Sequence, residues 1–184
     1  MLEAEHKLKL LIQDRPWETE PDYKEWKEAT TKYKCEVKRT SITLALCGYV
    51  TVPKKHHYYG LSYNDVTVNV HGGLTYSNKG TFGFDCAHAG DLCPGVITSI
   101  LATSKDPVEY MRITDMFDTY RTFEWVVKET EDLAKYLYQM DKDVEGVLMM
   151  QAAKNAVRGG SFSKGLGAEY EKAKQAWLDS LKGG

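Results

Sequence analysis

A chain of 184 residues that is 42% hydrophobic can bury one good core, and a single domain is the default. Its net charge of −2, with a pI near 6.2, leaves no basic field for phosphate backbones and speaks against a nucleic-acid binder. No apolar run approaches the roughly 20 residues needed to cross a bilayer, so no membrane partner is expected.

The N-terminal stretch alternates charge with leucine. It lacks an uninterrupted apolar region and a small-residue cleavage site, and so does not read as a signal peptide. Residues 3–12 suit a short helix that Pro16 ends, because the residue before proline avoids the helical region. From Pro21, a proline, early acids and Tyr23/Trp26 at i,i+3 spacing predict a helix start. Two β-like runs follow, residues 33–39 and 42–52, with Gly48 a bulge or a point of close approach. Residues 53–64 form a Tyr-, His- and Gly-rich loop. Residues 65–70 alternate valine with polar residues, and Gly72-Gly73 then predicts a two-residue hairpin into residues 74–77. Asn78-Lys79-Gly80 makes the next turn and residues 82–86 the next strand.

Residues 95–103 are apolar and fit either a strand or a helix. From Asp118 the 3–4 period predicts a helix, with a second over about residues 141–157. A Gly/Ser connector spans 158–167, and a third helix from Ala168 carries Tyr170, Ala173, Trp177 and Leu181 on one stripe. Strands first and helices later predict an α+β fold: an antiparallel sheet over about residues 34–87, with helices packed on one face and a C-terminal helical extension. The boundaries expected are an α+β core domain, 1–140, carrying the motif region, and the extension, 141–184. Cys35, Cys47, Cys86 and Cys93 show no CxxC spacing, and a chain with a real core needs no staples, so reduced thiols and a cytoplasmic setting are expected.

Titratable groups concentrate between residues 71 and 91. His71, Asp85, Cys86, His88 and Asp91 sit there among five glycines, which allow close backbone approach. In an extended chain Asp85 and His88 point to opposite faces, so they converge only if the strand breaks near Cys86-Ala87. The D-x-x-H-x-x-D group can then hold a divalent ion through His88, Asp85 and Asp91, or supply acid–base chemistry with His71. The alternative is a loop knitted to its own backbone with no ligand. His71-Gly72-Gly73 brings to mind an oxyanion loop, but no G-x-S-x-G elbow accompanies it and a plain turn is the better reading. Cys86 shares the face of Phe82 and Phe84 and reads as a buried thiol rather than a nucleophile. The loop carrying Lys54, Lys55, His56 and Tyr59, with Asn69 and Tyr76 nearby, suits a lid over an anionic, nucleotide-like ligand. A solvated loop is its equal alternative. Residues 159–165 lack the Walker spacing and read as a flexible connector.

Three motifs carry a resemblance. Leu46-Cys47-Gly48-Tyr49-Val50-x-Val52-Pro53, Val70-His71-Gly72-Gly73-Leu74-Thr75-Tyr76-Ser77 and Phe82-Gly83-Phe84-Asp85-Cys86-Ala87-His88-x-Gly90-Asp91 resemble a family of small bacteriophage and prophage proteins of no assigned activity. The likeness covers about residues 33–137. It implies a phage origin and expression in the host bacterial cytoplasm. Where the family tends to read Gly-His-Pro-x-Tyr-Gly, this chain has Lys55-His56-His57-Tyr58-Tyr59-Gly60, which alters the loop.

Two functions from different classes fit these residues. One is a phage hydrolase, metal-dependent or acid–base, acting on a phosphorylated or nucleotide-like molecule through His71, Asp85, His88 and Asp91. The other is a non-catalytic phage binding protein, an inhibitor or ligand sponge against host defence, whose partner is a host signal molecule or a host defence protein. Trp17, Trp26 and Trp177 leave room for a homodimer.

Overall fold

The computed structural model describes residues 14–106, 119–158 and 162–182. The helix expected at residues 3–12 and part of the 158–167 connector lie outside them. Five strands, β1 (Tyr23–Lys27), β2 (Lys34–Arg39), β3 (Leu46–Thr51), β4 (Tyr76–Asn78) and β5 (Thr81–Asp85), form an antiparallel sheet in the order β1-β2-β3-β5-β4. Among the described residues three α-helices accompany it: α1 (Pro94–Thr103), α2 (Phe123–Arg158) and α3 (Phe162–Lys182). The fold is α+β, as the order of strands and helices predicts.

Period-two alternation sorts the sheet into two faces. Cys35 and Val37 of β2, Leu46 and Val50 of β3, and Phe82 and Phe84 of β5 are all buried. Through the register they stack in rows, Cys35–Val50–Phe82 and Val37–Gly48–Phe84. Against them lies the stripe Phe123, Val126, Thr130, Leu133, Ala134 and Leu137 of α2, spaced for one helix face. Each fully buried aliphatic or aromatic side chain here contributes about 1.5–3 kcal/mol. Gly48 is the point where the helix meets the sheet. A Cβ there would lie 2.3 Å from Thr130 Oγ1 and 2.5 Å from the Phe84 ring. The pairing around it is regular, so it is a close approach and not a bulge.

The helix expected from Pro21 is β1. Trp26 pairs with Cys35, packs on the core and donates its indole N–H to Glu131 at 3.2 Å, while Tyr23 and Glu25 face outward. Glu28, near the end of the same run, closes the β1–β2 hairpin. Its carboxylate accepts the N–H groups of Thr30 and Thr31 at 3.0 and 2.6 Å. Lys32 completes the turn in the left-handed region, at φ 61°.

The hairpin expected at Gly72-Gly73 is also absent. Residues 66–70 are extended but make no ladder, and they lie over the core as a strap with Val66 and Val70 buried. Gly73 N–H closes the turn on Val70 C=O at 2.9 Å, yet the chain beyond pairs with β5, beginning with Thr75 N–H to Gly83 C=O. The valine alternation is satisfied by burial rather than by a partner strand. Lys79 and Gly80, with φ of 45° and 85°, make the β4–β5 turn, the backbone a two-residue hairpin prefers.

Helix α2 runs for 36 residues without interruption, so the two helices expected on either side of residue 140 are one, and the boundary drawn there falls inside it. Nothing between Leu137 and Val144 breaks a helix, and Asp141 projects from it as a hydrogen-bond acceptor. Helix α3 packs against its second half, and Trp177 joins the main core. No described helix is long and apolar enough to cross a membrane.

Candidate functional site

Strand β5 ends at Asp85, and its neighbour makes the last sheet bond, Cys86 N–H to Leu46 C=O. Asp85 then holds the bend. One carboxylate oxygen accepts Ala87 N–H at 3.1 Å and the other accepts the Thr75 hydroxyl at 2.7 Å. A turn follows, Asp91 N–H to His88 C=O at 2.9 Å, with Gly90 at φ 89°. The strand therefore breaks where convergence of Asp85, His88 and Asp91 requires it. Leu92 N–H to Thr119 C=O and Thr119 N–H to Gly90 C=O fasten the turn to the segment before α2.

Asp91 is the centre. It is 5% exposed. Its Oδ2 accepts His71 Nε2–H at 2.6 Å and His88 N–H at 3.2 Å, and its Oδ1 accepts Arg121 Nε–H at 2.9 Å. Burial alone would raise this carboxyl, but the bonds from His71 and Arg121 outweigh it and hold it below the ordinary value. An ionised acceptor fixes the proton of His71 on Nε2. His71 is set from the other side, since its backbone N–H is donated to Glu129 at 2.8 Å. Its ring stands edge-on between His88 and Trp125, with centroids 5.5 and 5.3 Å away. Arg121 lies over the Trp125 ring at 4.9 Å, so the tryptophan walls one side of the cluster.

His88 differs from its neighbours. Its Nδ1 is buried and makes no hydrogen bond. Asp91 Oδ2 at 3.6 Å and Asp85 Oδ1 at 3.8 Å are the nearest carboxylate oxygens, too far for a bond. Gly72, at φ 64°, lets the ring lie against the strap. A Cβ at that position would fall 2.2–2.5 Å from three atoms of the imidazole. The glycine pair is a turn, and its first member is also a contact surface.

His71, His88 and Asp91 each present a ligand atom, and these lie within 4.8 Å of one another. Such a group can hold a metal ion. In tetrahedral zinc geometry, ligand atoms stand about 3.3 Å apart. The 3.6 Å separation of His88 and Asp91 suits this, while the 2.6 Å His71–Asp91 bond would have to open. Asp85 backs His88, and its carboxylate is already shared between Ala87 and Thr75. Cys86 is turned into the core at 3% exposure, and burial pushes its thiol well above the ordinary value.

The lid residues do not join this cluster. His56 is 3% exposed. Its Nε2 donates to Leu137 C=O at 3.1 Å and its Nδ1 accepts Tyr58 N–H at 3.0 Å. Burial holds it below the ordinary histidine value, neutral within the fold. Leu137 is eight residues beyond Glu129, about 12 Å along the helix axis. His57 bridges α2 and α3, with Nδ1 to Asp141 at 2.8 Å and Nε2 to the Tyr170 hydroxyl at 3.0 Å. Tyr59 covers the Gly80 turn. Tyr76 lies on the open sheet face against Tyr49, at 5.4 Å, and Asn69, Lys54 and Lys55 are exposed.

Three contributors escaped the sequence reading: Arg121, Trp125 and Glu129. Trp125 and Glu129 carry a signal in their spacing of four, which puts them on one side of α2, and Arg121 lies just before that helix. The chain matches no family model, no curated protein and no solved structure.

Proposed function

We propose that this is a phage-encoded, metal-dependent hydrolase of a phosphorylated or nucleotide-like small molecule, working in the host bacterial cytoplasm with His71, His88 and Asp91 as the ligand set. One observation carries the metal reading: the sealed, unpartnered Nδ1 of His88, aimed at a carboxylate that His71 already touches. A buried polar atom without a partner costs about 1–3 kcal/mol, and a cation among the three groups removes that cost.

Three protein ligands leave a coordination position open, the pattern of catalytic rather than structural sites. A bound divalent ion supplies Lewis acidity toward a phosphoryl oxygen. The protein's own groups do the positioning. Arg121 fixes Asp91 through Oδ1 and leaves Oδ2 for the centre, Glu129 fixes the backbone of His71, and Asp85 holds the bend that presents His88 by accepting Ala87 N–H. Trp125 keeps water from one side.

The test uses the purified full chain incubated with zinc, manganese or nickel and then dialysed. Stoichiometric metal is expected, with unfolding raised by about 2.7 kcal/mol at a hundredfold excess of ion over Kd. His88→Ala should abolish both effects while leaving the metal-free protein as stable as the parent or slightly more so, because an unsatisfied nitrogen is removed. Phosphate release from nucleotides should require the ion. Metal-free protein with no thermal shift, or metal retained by His88→Ala, overturns the reading.

A further inference from the structure

We propose that a second groove, on the far side of the sheet-to-helix junction from the histidine cluster, binds a small ligand carrying two or more phosphate groups. The groove has a volume of about 540 Å³ and is walled by Lys32, Tyr33 and Lys34 at the β1–β2 turn, Lys55 after β3, and Tyr138 and Lys142 on α2. That volume lies within the usual range for ligand sites, about 300–1,000 Å³.

Its charge runs against that of the chain. Four lysines line the groove, and the carboxylate among its lining residues, Asp141, is engaged by the backbone N–H and the ring of His57 at 2.8 Å each. Lys34 and Lys142 are shared with Glu25 and Glu145 at 2.8 and 3.1 Å. Lys32 and Lys55 have no ion-pair partner among the described residues. In a protein of net charge −2, a concave surface with that excess of cations focuses field for an anion.

The lysines stand on three separate walls of the groove, a spread that favours a diphosphate or longer chain over a single phosphate. Lysine suits the task as a mobile point charge that does not demand planar geometry. Asp141 is twelve residues beyond Glu129, about 18 Å along α2, so this groove is independent of the metal centre. The lid expected around Lys55 is thus a wall of a different site.

Lys32 provides an unusually clean variant. At φ 61° it occupies a backbone region that glycine adopts without strain, so Lys32→Gly removes the cation while suiting the turn. Calorimetric titration of the full chain with pyrophosphate, tripolyphosphate and ADP should show binding that weakens with salt, with inorganic phosphate far weaker. Lys32→Gly and Lys55→Ala should each reduce affinity about tenfold, with Lys32→Gly no less stable than the parent. His88→Ala should bind as the parent does, which separates failure here from failure of the metal reading. Absence of binding at millimolar ligand, unchanged affinity in the Lys32→Gly/Lys55→Ala double variant, or binding only to an oligonucleotide overturns the proposal.

Discussion

Replacing Gly72 with alanine tests the candidate centre with little disturbance to the core. Two costs are combined at that position. The backbone sits at φ 64°, where an L-residue with a Cβ is disfavoured by about 1–2 kcal/mol. The added methyl would also fall 2.2 Å from His88 Cε1, so the imidazole must swing away. A ring with 30% of its side chain exposed can move without breaking the core, and most of the stability loss should therefore come from the backbone. Gly73 supplies the control. It is at φ 83°, and a Cβ there would meet nothing within 4 Å. Urea unfolding should find Gly72→Ala and Gly73→Ala both destabilised by about 1–2 kcal/mol and within about 0.5 kcal/mol of each other. Metal titration should separate them: affinity falls about 10–100-fold in Gly72→Ala, the scale of losing a group that orients a ligand, and stays near the parent value in Gly73→Ala. Equal metal affinity in the two variants would refute the role assigned to the Gly72–His88 contact.

Two further outcomes follow from the packing and the buried charges. Gly48→Ala places a methyl 2.3 Å from Thr130 Oγ1 and against Phe84; overpacking of this kind costs about 1–3 kcal/mol, and adding Thr130→Ala should return part of it. Denaturant midpoints within error of the parent would show that α2 does not seat on Gly48. On acidification, His56 matters first: burial holds it below 6.5, so below that pH the unfolded chain binds the extra proton and stability falls, by at most about 1.4 kcal/mol per pH unit for one proton. Asp91 and Asp141, both held below 3.8, contribute stability that is present above that value and lost as pH falls through their lower folded values. Unfolding measured from pH 7 to 3 should show both phases, with the upper one reduced in His56→Gln; a flat profile between pH 7 and 5 contradicts the neutral, buried assignment.

The sheet was legible where alternation and turn chemistry agree. Phe82 and Phe84 on one face and Asn78-Lys79-Gly80 as a turn predict what is found, and the apolar run 42–52 contains β3 although its first four residues precede the strand. Pro21 to Glu28 misled because the features that open a helix, proline and early acids, serve equally at the mouth of a hairpin, and Glu28 caps that turn. The valines of 66–70 misled because period two reports alternating burial and not a hydrogen-bonded neighbour. For the site, the bend after Asp85 was deducible from the requirement that Asp85, His88 and Asp91 meet. The donors that fix Asp91 and His71 were not, since Arg121 and Glu129 arrive from 30 and 58 residues away and only the docking of α2 brings them in.

The hydrogen bond from His71 N–H to Glu129 also carries information about time. It belongs to no ladder or helix, and it exists only while α2 is seated on the sheet and the strap lies across the core. Exchange of that amide with solvent therefore clocks the opening of the whole junction rather than local fraying. Its protection should equal that of the β3 amides if strap, sheet and helix part together, and fall below them if the strap lifts first. One backbone proton thus measures how long the candidate centre stays assembled.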